Sequence, residues 1–215
     1  MRSVLTAPVL CFFVFCSLPA PGAAQTLRAE ALTAPPPAEL APGVRERLAD
    51  RGVKATAGDV TIELWWVKAL PVSKDAAWSG VREGSLVGAV RLSAPYRDIR
   101  GRTLKPGVYT LRFGIQPADG DHMGVSPFRE FLLLSPAAAD TDPEPVSHDQ
   151  LVELSKQAIG SSHPAPWSID PPAATEPPLS VRTNDAGHEA VVVEVPTSAG
   201  KPLRFGLILV GKIEA

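Results

Sequence analysis

The chain has 215 residues, 21 basic against 23 acidic, and 45% of its residues are hydrophobic. That near-neutral balance speaks against nucleic acid or an anionic membrane surface as a partner, since both call for a clustered excess of Lys and Arg. Of its 23 prolines, 14 gather at 34–42, 143–145, 164–178 and 196–202, so they punctuate a globular chain and do not form one low-complexity tract.

Met1 and Arg2 supply a positive start, residues 9–18 (VLCFFVFCSL) an apolar run, and Gly22 and Ala24 the small residues of a cleavage site. Charge, short apolar run and small-residue exit make a secretory signal over residues 1–24. A membrane anchor is the alternative, but a spanning helix needs about 20 apolar residues, and Pro19 and Pro21 end any helix here. A lipoprotein would use Cys16, yet Phe13-Val14-Phe15 stands where a small residue is expected. Both cysteines, Cys11 and Cys16, leave with the signal. The mature chain, starting near Gln25, is then cysteine-free, which removes disulfides, thiolate metal sites and a cysteine nucleophile. Loss of Arg2 leaves 20 basic residues against 23 acidic, a net charge of −3. The expected product is exported, periplasmic or extracellular, without a transmembrane segment in its mature part, and about 190 residues suffice for one domain with its own core.

Residues 25–41, rich in Ala and Pro, read as a poorly ordered arm, and 42–215 as the single domain. Leu40, Val44 and Leu48 recur at helical spacing with Gly52 placed to end a short helix. The period then changes to two. Val60, Ile62, Leu64 and Trp66 share one strand face; Leu86, Gly88, Val90 and Leu92 share another. The turn Lys105-Pro106-Gly107 leads into Tyr109, Leu111, Phe113 and Ile115, with Thr110, Arg112 and Gly114 opposite. A further strand runs over 128–134. Ser147 with Gln150 three residues on forms a capping box for a helix over 147–160, stopped by Gly160. Strands at 179–183, 189–195 and 203–213, separated by the turns 184–187 and 198–200, close the chain as a meander. Seven to eight short strands with one inserted helix and no strand–helix–strand alternation predict a mostly β protein, an antiparallel β-sandwich.

The stretch Leu104-Lys105-Pro106-Gly107-Val108-Tyr109-Thr110-Leu111 resembles the Pro/Ala-Gly-x-Tyr-x-Leu strand of many exported bacterial β-sandwich domains, some transthyretin-like or carboxypeptidase-regulatory-like and others of unknown function. The resemblance covers eight residues. It implies sandwich architecture, in which a tight turn delivers an inward aromatic, and carries over no site.

Catalytic motifs are missing. There is no Gly-x-Ser-x-Gly and no phosphate-binding Gly-rich loop. The consecutive Ser147-His148-Asp149 cannot be a triad, because adjacent helical residues do not face one another. The cluster Asp119, Asp121 and His122, in a loop over 117–127 longer than a hairpin requires, has donors for a divalent metal; equally, Asp-Gly-Asp is common turn chemistry. A second irregular stretch carries His163 and Trp167. If the two meet, His122, His163 and Trp167 line a pocket; otherwise Trp167 packs at the edge of the sandwich. Trp65 shares its strand face with Thr61 and Glu63, which leaves it partly exposed for a sugar ring or a partner protein, unless the 77–85 segment or the first helix covers it. Arg97, Arg100, Arg102 and Lys105 make a basic loop with the composition of a solvated turn. A divalent metal is the one cofactor these residues leave open; nothing signals haem, flavin, nucleotide or an iron–sulfur cluster. The expected function is that of an exported, non-catalytic binding or accessory module for a protein, small-molecule or glycan ligand. A metal-binding periplasmic protein and a structural envelope protein are the alternatives.

Overall fold

The computed structural model describes residues 27–73, 77–116, 128–171 and 175–212. In chain order these form Arg28–Thr33 (β1), Pro42–Arg47 (α1), Leu48–Ala57 (β2), Val60–Val67 (β3), Leu86–Leu92 (β4), Tyr96–Arg97 (β5), Thr103–Leu104 (β6), Gly107–Ile115 (β7), Glu130–Pro136 (β8), His148–Ile159 (α2), Pro166–Asp170 (β9), Val181–Thr183 (β10), Glu189–Val195 (β11) and Leu203–Val210 (β12).

Ten strands join in one antiparallel sheet of order β1-β2-β3-β4-β7-β8-β9-β12-β11-β10, and β5 pairs with β6 as a separate small hairpin. The large sheet curls until it is nearly closed into a barrel, which overturns the expected sandwich of seven to eight strands. Alternation of apolar and polar residues specifies one buried face per strand, and a sandwich and a barrel satisfy that equally well. The difference lies in hydrogen bonding. Here β8, β9 and β12 pair in sequence, so the two halves of the protein share one continuous ladder where a sandwich would break it.

The register lines up the interior. Leu64 stands opposite Val90 and Ile62 opposite Leu92 across β3 and β4; Leu111 meets Leu134 and Phe113 meets Leu132 across β7 and β8; Leu132 meets Trp167, and Val193 meets Phe205. These residues are buried in one contiguous cluster. Aromatic rings pack within and against it: the partly buried Trp78 stacks on Phe113 with centroids 5.0 Å apart, and Phe205 meets Trp78 and Trp66 edge-on at 5.0 and 5.8 Å. The barrel interior is thus a packed core.

α2 lies on the outer face of β7 and β8. Its start follows from sequence: Ser147 accepts from the Gln150 N–H while the Gln150 side chain accepts from the Ser147 N–H, and Gly160 ends it in the left-handed region at φ +63°. The first helix is shorter than its spacing implied. It ends at Arg47, and Leu48 already begins β2. Gly52 is consequently a strand residue, not a helix stop. A Cβ there would stand 1.7 Å from the Leu64 carbonyl oxygen, so only glycine lets β2 and β3 approach where their register shifts between Leu48 and Gly52.

The Ala/Pro-rich segment read as a loose arm is built into the fold. Residues 28–33 pair along β2 from Thr56 to Arg51, Leu27 and Leu32 are buried, and Pro36 and Pro37 pack down after them. The stretch read as irregular around Trp167 supplies β9, which pairs on both sides.

Candidate functional site

The residues singled out by sequence do not come together. Trp65 is 1% exposed, which corrects the expectation of a partly open indole. Its Nε1–H donates to the Ala34 carbonyl at 2.9 Å, and the Arg91 guanidinium lies 6.0 Å from its ring centre. The cover is the proline segment itself, which local composition alone could not dock onto a strand 31 residues away. Trp167 is 2% exposed and faces the interior, edge-on to Tyr96 at 5.6 Å. His163 is exposed beyond the end of α2, its N–H held by the Ser161 Oγ at 3.1 Å. The shared-pocket reading therefore loses Trp167 to the core. Asp119, Asp121 and His122 lie outside the described residues. Among the described residues no group of three or more His, Cys, Asp or Glu could hold a metal ion.

The strongest polar arrangement went unread in the sequence. Arg112 on β7 points outward beneath the 140–144 segment, and its side chain and that of Asp140 are 0% and 1% exposed. The Arg112 Nε donates to Asp140 Oδ2 at 2.7 Å and one terminal nitrogen to Oδ1 at 2.8 Å. The carbonyls of Gly84 (2.7 Å), Glu144 (2.9 Å) and Asp142 accept the remaining N–H groups, and the Thr110 hydroxyl completes the Asp140 carboxylate. Every guanidinium donor is used. A saturated buried pair of this kind fastens a loop and leaves nothing for a substrate. Arg112 on the outer face of a clean alternating strand was the available signal, but its partner is 28 residues away in a proline-rich loop.

The basic loop is likewise an ordered hairpin. Asp98 Oδ1 accepts from the backbone N–H groups of Arg100 at 3.0 Å and Arg102 at 2.8 Å, and the Arg102 side chain donates to the Pro164 carbonyl at 2.7 Å. Burial, and then the neighbouring Arg102, lower the Arg100 guanidinium from its ordinary value, against the pull of Asp98. Burial, reinforced by Asp98, holds the Tyr96 hydroxyl well above the ordinary tyrosine value while it donates to the Leu209 carbonyl at 2.7 Å.

What remains open is the seam between the first and last strands of the sheet. Two contacts bracket it. At one end the Leu27 N–H reaches Glu189 Oε2 at 3.3 Å; at the other, Leu70 bridges Thr197, with the Leu70 N–H on the Pro196 carbonyl at 2.7 Å and the Ser198 N–H on the Leu70 carbonyl at 2.9 Å. β10 has only three residues and pairs with Glu189, Ala190 and Val191. One further turn of pairing follows, Leu179 N–H to the Val192 carbonyl at 2.8 Å, with Leu179 at φ +67°. Beyond it the edge of β11 faces β1 and the bulged start of β2 across a cleft of about 290 Å³, walled by Leu32, Val53, Val67, Leu179 and Val193 with Trp66 beside them. A second cleft, about 550 Å³, opens between the proline segment and α1 and is lined by Arg45, Glu46, Asp50 and Lys68. The cleft over the proline segment has charged residues of both signs in its lining; the seam is mostly apolar, with Arg51 and Glu194 also in its lining, and reaches the buried Trp66. The chain matches no family model, no curated protein and no solved structure.

Proposed function

We propose that the chain is an exported, non-catalytic binding module that takes its ligand at the seam of the barrel. The observation that carries this reading is the incomplete closure itself. A sheet of ten strands brings its ends close enough for contact at two points, yet a short β10 leaves an apolar cleft of about 290 Å³ leading to the aromatic core. Closing the gap with longer strands would bury more backbone and apolar surface; leaving it open costs stability, which a binding role would justify. Apolar clefts near the lower end of the 300–1,000 Å³ range are the usual size of small-ligand sites. The signal at residues 1–24 supports an address outside the cytoplasm, and the buried Arg112–Asp140 pair and Asp98 hairpin are fully committed to the fold.

The test is a cleft-filling variant. Purified mature protein should bind the neutral apolar dye N-phenyl-1-naphthylamine with saturable fluorescence and unchanged near-ultraviolet circular dichroism. Val53→Phe, which adds bulk to the wall, should abolish that binding while the protein stays folded. Undiminished binding by a folded Val53→Phe variant would refute the seam as the site.

A further inference from the structure

Resting on the seam as the ligand's place, we infer that the ligand is a neutral, largely hydrocarbon molecule with one hydrogen-bond acceptor, a carbonyl or ether oxygen, received by the Nε1–H of Trp66. Trp66 is 4% exposed and lines the seam, and its Nε1 has no hydrogen-bond partner. Buried donors are almost always satisfied, so an orphan beside a cleft marks the place of an absent acceptor. Its orientation follows from packing. A Cβ added at Gly88 on β4 would stand 2.9 Å from Trp66 Cε3, so that long edge of the indole lies against β4. Nε1 is on the opposite long edge and is turned away from β4, the side on which β2 and the seam lie. Phe205, edge-on at 5.8 Å, offers only a weak ring contact in place of an acceptor. The neighbouring Trp65 shows the contrast, since its own Nε1–H is satisfied by Ala34. Trp167 also has an unpartnered Nε1 but is not among the residues lining the seam.

The walls select against other ligand chemistries. Most of the lining is aliphatic, Leu32, Val53, Val67, Leu179 and Val193 among it, which favours a hydrocarbon body. A cationic ligand would have to compete for Glu194, whose Oε1 already accepts the Arg204 Nε at 2.9 Å. A carboxylate would meet Arg51, which is exposed to solvent and so holds an anion weakly. The orphan indole donor beside mostly aliphatic walls fits one acceptor on an apolar body.

A matched pair of probes tests this: heptan-2-one, and 2-methylhept-1-ene, in which a methylene replaces the carbonyl oxygen. The protein has four tryptophans, and the Trp66 indole signal in ¹⁵N-labelled mature protein is assigned by its loss in Trp66→Phe. The ketone should move that signal downfield and bind about two- to tenfold more tightly than the alkene, the range of one neutral hydrogen bond. Trp66→Phe should reverse the preference in favour of the alkene, because the ketone oxygen is then buried without a donor. Equal affinities in the wild-type protein with an unmoved Trp66 signal overturn the acceptor inference and leave the seam standing. Failure of both probes to perturb Leu32, Val53 and Val193 overturns the seam reading itself, as does an added extended peptide that protects β1 amides where neither probe acts. The wild-type comparison decides the matter even if Trp66→Phe does not fold.

Discussion

Replacing Arg112 by methionine keeps an apolar stem in the same groove and removes all five guanidinium donors. The Asp140 carboxylate is then left, fully buried, with only the Thr110 hydroxyl; the carbonyls of Asp142 and Glu144 lose the guanidinium donor, and that of Gly84 keeps only the Val146 N–H at 3.4 Å. Breaking a buried pair by removing one partner costs about 3–5 kcal/mol, chiefly because an uncompensated charge stays behind. For a domain of this size each kcal/mol moves the melting temperature by about 2–4 °C, so a fall of about 6–20 °C follows. Urea unfolding followed by tryptophan fluorescence gives the free-energy loss directly. The double variant Arg112→Met/Asp140→Leu removes the stranded charge and should recover part of the loss, though not all, because the carbonyls of Asp142 and Glu144 still lack the guanidinium donor. A loss below about 1 kcal/mol in Arg112→Met, or a double variant no better than the single one, would refute the argument that the buried carboxylate sets the cost.

Gly52→Ala puts a methyl group on the Leu64 carbonyl at a nominal 1.7 Å, so β2 must part from β3; the expected result is a loss above about 3 kcal/mol, read as low soluble yield or a collapsed urea midpoint. Ser147→Ala removes the capping box of α2 and should cost about 1 kcal/mol, with the helix amides exchanging faster while the barrel amides do not change. The raised Tyr96 value predicts alkaline instability. Because the folded value lies above the unfolded one of about 10, the stabilisation is whole below about pH 10 and is lost as pH climbs towards the folded value. Tyr109 shares the direction, again by burial. Tyr96→Phe should flatten the fall in urea midpoint above about pH 10, at the cost of about 1 kcal/mol for the bond to Leu209 at neutral pH; an unchanged slope would count against it.

The local devices were readable where a few adjacent residues carry the whole cause. The capping box and the left-handed Gly160 around α2 are of that kind, as is the entry through Lys105-Pro106-Gly107 into β7 with Tyr109 buried. Reading failed where the cause sat elsewhere in the chain. Leu40, Val44 and Leu48 share a helical period, yet Leu48 leaves α1 because β3 offers it a pairing partner at Val67. Trp65 alternates with polar neighbours as an exposed residue would, and is buried only because residues 34–37 fold across it. Of the proposed site, Trp66 was legible as an inward residue. Its unpartnered Nε1–H was not, since that depends on the bulge in β2 and on where β10 stops.

From the order of residues alone come the period of β3, β4 and β7, the caps of α2, and the expectation of an export signal that would take both cysteines with it. Tertiary structure alone decides how the strands are joined. A strand with one apolar face lowers its free energy equally against a second sheet or around a barrel, so the pattern carries no preference between them. The choice is made by the pairings β8–β9 and β9–β12, which continue one ladder, and by a β10 too short to finish it, which leaves the seam beside Trp66.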